Sequence, residues 1–228
     1  MQKSLSALAA LALTTTLFLG GCADPAESTP DAEVKDVPAA DAAAEESPAP
    51  AAAAMEGTTY EITPASTVAF VGSKFSGSHD GGFEGVTGTV TIPGDDLTKA
   101  SIVATIDMKT AYSDNEKLTE HLLSADFFDA EKFPESKFES TAIAATDAGF
   151  DITGTLTFHG VTKSITSPAT MQVESGIFTA HAEFDIDRFD FGVEYPGKAD
   201  DLIRKNVVIK LDIEGNASAY RIGYILSF

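Results

Sequence analysis

From residue 58 onward, hydrophobic and polar side chains alternate with a period of two along most of the chain. In the stretch 150–158, apolar or glycine residues stand at the even positions, and aspartate or threonine at the odd ones. Such a period places one row of side chains in the interior and the other in solvent, which predicts half-buried β-strands. Similar inward rows are Ile102/Ala104/Ile106, Phe138/Ser140/Ala142/Ala144, Phe178/Ala180/Ala182/Phe184/Ile186 and Val207/Ile209/Leu211/Ile213.

Turn-forming residues separate these rows at 93–96, 147–149, 159–160 and 175–176, so roughly eight to ten strands follow one another as hairpins. A clean alternation over many consecutive strands predicts an all-β domain, either an antiparallel barrel or a sandwich. A barrel of about eight strands is filled by its own side chains or holds one small ligand. The small residues in the inward rows fit both alternatives.

One segment departs from the strand pattern and predicts a short helical insertion. Ser113 and Glu116 fit a capping box, with Ser113 as the N-cap of a helix that ends at Leu123. Ser124 fits the start of a second turn that stops before Pro134. Leu118 and Leu122 share one face of this helix, which suits a lid over an open end of a barrel.

The first 21 residues predict a lipoprotein signal peptide. Lys3 precedes an apolar stretch that is shorter than the roughly 20 residues needed to span a bilayer. The stretch ends in Leu-Gly-Gly-Cys, which resembles a bacterial lipobox and predicts lipidation of Cys22 with fatty acyl chains such as palmitate. The resemblance to bacterial lipoproteins, in which an Asp directly after the cysteine retains the protein in the inner membrane, implies that Ala23 favours the outer membrane. The domain is then expected to be anchored to that membrane and to face the periplasm.

Residues 22–57 are rich in alanine, proline and acidic residues and contain no aromatic side chain. This composition predicts a disordered linker, because the segment buries too little apolar surface by itself to offset its ordering entropy. The whole chain carries a net charge of −20, which argues against nucleic acid as a partner. The remaining residues, 58–228, are predicted to form one domain.

The sequence offers little for catalysis or metal binding. No Gly-x-Ser-x-Gly motif is present, and the sole cysteine is Cys22. The four histidines show no metal-ligand spacing. His121 has two interpretations, a tie between the helix and a loop carbonyl or a hydrogen bond to a ligand. Arg188 is interpreted as part of a surface charge pair with Asp187 and Asp190, and the alternative is a contact with a ligand. We therefore expect no enzyme and no metal or cofactor.

Three segments in this order closely resemble the YceI-like family, from about Tyr60 to Glu214. They are Glu120–Asp129 followed by Lys132-Phe133-Pro134, Gly154–Lys163, and Asp187–Gly192. The resemblance implies a lipocalin-like β-barrel in the periplasm that binds a long isoprenoid or fatty lipid. Basic residues that relatives carry beside the His-Leu pair are absent here, and Lys74 replaces a frequent histidine, which favours a neutral ligand.

Together these features predict a lipid-anchored periplasmic protein that holds an isoprenoid or other long-chain amphiphile in its barrel. The alternative is an envelope stress or interaction protein with a filled barrel and a function on its outer surface. The residues predicted to bind the ligand lie on the helical insertion and the inward rows: Leu118, His121, Leu122, Phe127, Phe128, Phe138, Phe158, Phe178 and Phe184.

Overall fold

A computed structural model of the chain describes residues 24–37 and 57–218. The predicted signal peptide, Cys22, residues 38–56 of the predicted linker and the last ten residues lie outside the described part. Among the residues that are described, no helix is long and apolar enough to cross a membrane.

The described residues are mostly in strands. The strands are β1 (Glu33–Asp36), β2 (Thr58–Ile62), β3 (Thr67–Lys74), β4 (Gly77–Phe83), β5 (Val86–Ile92), β6 (Ser101–Asp107), β7 (Ala111–Ser113), β8 (Glu135–Thr146), β9 (Gly149–Phe158), β10 (Val161–Glu174), β11 (Ile177–Asp187), β12 (Gly197–Lys198), β13 (Asp201–Leu202) and β14 (Asn206–Ala217). The helices are the α-helix α1 (Glu116–Leu123) and the short 3-10 helices Pro25–Ser28, Leu97–Lys99, Met108–Thr110 and Arg188–Phe191.

Eight antiparallel strands close into a barrel. Their order around the ring is β10, β9, β8, β6, β5, β2, β14, β11 and back to β10. Strand β3 also pairs with β14, next to the segment that pairs with β2, and β4 and β7 follow β3 in the same sheet. The predicted all-β, lipocalin-like barrel with a short helical insertion is therefore confirmed.

The inward rows lie where the alternation places them, with one exception on β8. A β-bulge between Ser140 and Ala142 adds one residue to the strand, so the row reverses its direction there. Ile143 is buried and pairs with Ile152, while Ala142 and Ala144 are exposed. The predicted row Phe138/Ser140/Ala142/Ala144 is thus wrong after Ser140, because a bulge shifts the period by one residue.

The helical insertion ends at Leu123, as predicted, but it starts later than predicted. Asn115 is the N-cap, and its side-chain oxygen accepts a hydrogen bond from the backbone N–H of Leu118 at 3.1 Å. Ser113 instead braces this cap, since its hydroxyl donates to the Asn115 carbonyl at 2.8 Å. Both residues are good N-caps, and the short strand β7 keeps Ser113 extended, so the helix begins after Asn115.

The predicted linker 22–57 is not disordered throughout. Residues 24–37, which we call the strap, contain the 3-10 helix Pro25–Ser28 and strand β1, which pairs with β10 over four residues. The composition argument was wrong for this part because it considered only the surface that a segment buries by itself. The strap uses apolar side chains and backbone groups that the barrel already provides.

Candidate functional site

The barrel encloses an apolar cavity of about 290 Å³. Its wall takes side chains from all sides of the ring, including Val90, Ile152, Ile165 and Leu211. Surveyed ligand sites in proteins are likewise mostly apolar, at about 300–1,000 Å³. A cavity of this size and character suits an aliphatic chain.

Small side chains on the inward rows leave this space open. Ala104, Ala180 and Ala182 all line the cavity, at positions where larger residues would fill it. The sequence left two interpretations open, a barrel filled by its own side chains and a barrel with room for a ligand. The open space in the structure favours the second.

Aromatic rings close the end of the cavity beneath the helical insertion. Phe128 lies 5.6 Å from Phe83 and 5.8 Å from Phe158, measured between ring centroids. Phe158 in turn lies 5.7 Å from Phe191. These tilted and edge-to-face contacts are the favourable ones for aromatic pairs. The insertion therefore forms an apolar lid, as the sequence suggested.

Two glycines allow aromatic rings to lie flat against neighbouring strands. A Cβ on Gly154 would come within 2.4 Å of the ring of Phe138, and one on Gly81 would come equally close to the ring of Phe70. Both rings line the cavity. Any side chain at either glycine would push a ring into the cavity and reduce its volume.

The polar groups of the wall are largely engaged by the protein. The hydroxyl of Ser136 donates to the Thr157 carbonyl at 3.0 Å. Arg188 is buried, and its guanidinium donates to the carbonyls of Val193, Ile203 and Arg204. Burial lowers the pKa of Arg188 below its ordinary value.

The interpretation of Arg188 as a surface pair is wrong. Its side chain fastens the loop that follows the Arg188–Phe191 helix to the segment before β14. Nothing in the sequence indicated this role, because an arginine flanked by aspartates at a strand end is the usual pattern of an exposed charge cluster.

Seven of the nine predicted ligand-binding residues line the cavity. They are Leu122, Phe127, Phe128, Phe138, Phe158, Phe178 and Phe184. Leu118 packs within the lid instead, and His121 lies beside it. Their contact with a ligand remains a prediction. Val193 and Ile203, which sequence reasoning missed, close the lid from irregular segments that show no periodic pattern.

His121 is held by the protein itself. Its Nε2 lies 2.8 Å from Asp126 Oδ2, and its ring packs edge-on against Phe127 and Tyr195 at 4.9 Å. These contacts favour the structural interpretation, although the partner is a carboxylate and not a loop carbonyl. The ring positions the lid residue Phe127.

Lys74, the residue that replaces a frequent histidine of the family, is also engaged. Its ammonium donates to Asp201 Oδ2 at 2.6 Å, and this bond, together with one from Ser76, lowers the pKa of Asp201. Since its charge is already balanced, Lys74 is a poor partner for an anionic head group. This agrees with the expectation of a neutral ligand.

The other histidines are held by separate contacts with the protein, and His181 also borders the cavity. His79 and His181 pair with Asp114 and Asp212 at 2.8 Å and 2.6 Å, and His159 occupies a turn with a positive φ of 51°. Across residues 24–37 and 57–218, no group of three or more metal-ligating side chains comes together.

A model of the YceI-like domain matches residues 60–215, which is more than half of the chain. The chain belongs to the YceI-like family. Curated relatives include a UPF0312 protein of Pseudomonas putida strain GB-1, 40% identical over 103 residues, covering 40% of this chain and 53% of the relative. A UPF0312 protein of Pseudomonas fluorescens strain SBW25 is 37% identical over 119 residues, covering 48% and 60%. The chain thus spans little more than half the length of these relatives.

Solved structures share the YceI-like barrel. BcnA of Burkholderia cenocepacia aligns with a TM-score of 0.61 and 25% identity, over 67% of this chain and 98% of BcnA. A polyisoprenoid-binding domain from Saccharophagus degradans aligns with a TM-score of 0.58 and 16% identity, over 72% and 100%. The second likeness shows the fold alone.

Proposed function

We propose that this chain is a lipid-anchored binding protein of the bacterial cell envelope, and that it holds an isoprenoid or other long-chain amphiphile inside its barrel. The observation that carries this proposal is the apolar cavity of about 290 Å³ in the centre of the fold. A filled barrel, which the alternative of a surface-acting interaction protein requires, has no such space.

The wall chemistry supports an aliphatic ligand. Burying apolar surface contributes roughly 25 cal/mol per Å², or about 0.8 kcal/mol for each CH₂ group. Ser136 and Arg188 already donate to backbone carbonyls, so they offer little to a charged head group. The ligand therefore gains its affinity from its chain, and its head group stays at the edge of the cavity. Selectivity for chain length is then weak.

The family supports the same conclusion. The Saccharophagus domain with this fold is described as polyisoprenoid-binding, and we extend that ligand class to this chain. The Leu-Gly-Gly-Cys sequence before the domain supports an anchor on Cys22 and a position in the periplasm, with Ala23 favouring the outer membrane.

The direct test is to identify what the protein carries. The protein is purified from its membrane fraction, extracted with organic solvent, and the extract is analysed by mass spectrometry. We expect a long-chain lipid in near-stoichiometric amount from folded protein. An empty extract, together with no uptake of a prenyl alcohol by the folded protein, would contradict the proposed function.

A further inference from the structure

The barrel wall is interrupted between β10 and β11. The two strands pair at 170–174 and 177–181, and the ladder stops at Thr170 and His181. Beyond this point β10 continues along β9, while β11 continues along β14. Pro168 lies two residues past the last pair, and a proline has no N–H to donate to a ladder. The strands therefore part and leave a seam in the wall.

The strap occupies this seam. On one side, β1 pairs antiparallel with β10 from Glu33–Thr166 to Asp36–Lys163. On the other side, Asp31 forms a parallel β-bridge with Asp185 of β11. The N–H of Ala32 donates to the Asp185 carbonyl at 2.9 Å, and the N–H of Asp185 donates to the Pro30 carbonyl at 3.0 Å. The strap is thus a short strand inserted between two strands of the barrel.

The inner face of the strap covers residues of the cavity wall. Ala32 and Val34 pack against a buried cluster that includes Ile165, Phe184 and Ile186. These three cluster residues also line the cavity. Without the strap, this part of the wall would face solvent through the seam.

The strap is held more weakly than the strands beside it. Its ends are fastened by two ion pairs, Arg204–Asp24 at 2.5 Å and Lys163–Asp36 at 2.6 Å. The second pair is largely exposed, since the Asp36 side chain keeps 91% of its accessible surface, and exposed pairs contribute little. On the β11 side only a single bridge is made. The strap can therefore detach while the ladders of the barrel remain intact.

We propose that the strap gates a side entrance between β10 and β11, through which an aliphatic chain enters and leaves the cavity. The proposal rests on the proposed function, since it presumes a ligand in the cavity. The strap lies outside the YceI-like match at residues 60–215, so this gate is an addition to the family domain.

A disulfide that locks the strap tests the gate. Lys35 and Ser164 are directly paired on the outward side of β1 and β10, so Lys35→Cys with Ser164→Cys, in a Cys22→Ser background, can bond without entering the core. The matched control is Glu183→Cys with Lys210→Cys, which joins β11 to β14 at a pair far into a long ladder. The probe is the fluorescent fatty acid cis-parinaric acid, exchanged against excess unlabelled fatty acid by stopped flow.

We call the Lys35→Cys/Ser164→Cys protein the lock. In the oxidised lock we expect the rate of probe exchange to fall at least tenfold and to recover on reduction, while the equilibrium affinity for the probe stays unchanged within threefold. The oxidised control should exchange like the unlocked protein. Conversely, Asp36→Lys, which opposes Lys163, should speed exchange severalfold. Equal rates in the oxidised and reduced lock would overturn the gate and place entry at the lid. If no variant binds the probe, including the unlocked protein, the proposed function fails and the gate with it.

Discussion

At the scale of single residues, the most unusual group is the buried carboxyl of Asp185. Its Oδ2 accepts a hydrogen bond from the side-chain amide of Asn206, and its Oδ1 has no partner among the described residues. Burial raises the pKa of Asp185, and the neighbouring carboxyl of Asp31 raises it further. A proton on Asp185 removes the repulsion between the two carboxyls, whereas a charged Asp185 repels Asp31 and with it the strap.

This carboxyl pair predicts that docking of the strap depends on pH. A carboxyl whose pKa is raised in the folded protein contributes stability that is fully present below pH 3.8, the ordinary pKa of aspartate. This contribution is lost as the pH rises through the raised pKa. The exposed Asp36 has the opposite dependence, because Lys163 lowers its pKa and that contribution is lost only in more acidic solution. Lys205 also interacts with Asp31, although its raised pKa is due mainly to Asp187.

We therefore expect hydrogen exchange of the strap amides, corrected for intrinsic rates, to become faster as the pH rises from about 4 to neutral. Asp31→Asn should weaken this dependence, leaving the part that is due to burial of Asp185, and should slow the exchange at neutral pH, since an amide donates to Asp185 without charge. Glu33→Gln is the control, because Glu33 is exposed and forms an ion pair with Lys35, so its pH profile should match that of the wild type. A profile in Asp31→Asn that is unchanged from the wild type would show that the Asp31 carboxyl does not control docking.

The lining residues give a second prediction at this scale. Phe184 is buried and Phe158 is half-buried, and both line the cavity, whereas His121 lies beside the lid. Because affinity comes from packing along an apolar chain, Phe158→Ala or Phe184→Ala should change lipid retention severalfold, and His121→Ala should change it less.

Replacing a core phenylalanine by alanine typically costs about 3–5 kcal/mol, so retention is compared only on protein shown to be folded by circular dichroism. Lipid is quantified by mass spectrometry per mole of protein. A larger effect from His121→Ala than from either phenylalanine would assign the binding energy to polar contacts at the lid.

At the scale of elements, the alternation predicted the strands well because it reports directly which face of a strand is dry. It failed at the β8 bulge, since one inserted residue at 140–142 reverses the faces without changing the composition. The capping pattern placed the start of α1 at Ser113 instead of Asn115, because the two residues are both good N-caps and lie close together. For the site, the inward phenylalanines were predictable, but Val193 and Ile203 were not, because contacts between irregular loops leave no periodic signal.

The strap is the most informative failure. Its apolar residues at alternate positions, Ala32 and Val34, are the only local sign of a strand, and the surrounding acidic residues outweigh it. What orders the segment is an open seam of the barrel, which is a property of the tertiary structure. A composition argument cannot include a surface that lies more than a hundred residues away in the chain.

The strap also changes what we expect of a chain that begins at Gly57. Such a chain should still give strand-dominated circular dichroism and one cooperative unfolding transition, because the eight-stranded ring is complete without β1. Compared with a chain that begins at Asp24, it should be less stable by about 2 kcal/mol, the value of burying one valine-sized side chain. It should also bind more of a hydrophobic dye. Equal stability of the two chains would mean that the strap contributes nothing to the wall.

At the scale of the whole molecule, the docked strap alters the geometry of the proposed anchor. Residues 22–57 were predicted to be a disordered linker, yet Asp24 is tied to Arg204, which lies just before β14. Cys22 precedes Asp24 by two residues, which span at most about 7 Å. If Cys22 carries the lipid, the barrel is held with this end close to the bilayer.

The anchor itself is tested by Cys22→Ser. We expect this variant to lose incorporation of a labelled fatty acid completely, and the protein to stay folded and move to the soluble fraction, because the strands of the eight-stranded ring begin only at Thr58 in the chain. Label that persists on the variant would contradict lipidation at this cysteine.

The orientation is tested with a single tryptophan. The chain contains no tryptophan, and Phe75, at the β3–β4 turn, is 66% exposed and lies 5.1 Å from the Arg204 guanidinium, measured to its ring centroid. In the lipidated protein on phosphatidylcholine vesicles, the emission of Phe75→Trp should shift to the blue and be quenched by brominated lipid.

Ile177→Trp is the matched control, since Ile177 is also exposed but pairs with Asn216 at the opposite end of β14. We expect no shift there, and none for Phe75→Trp when Cys22→Ser is added. A barrel held off the membrane by a flexible spacer would leave both tryptophans in water, so equal emission at the two positions would show that the strap does not set the orientation.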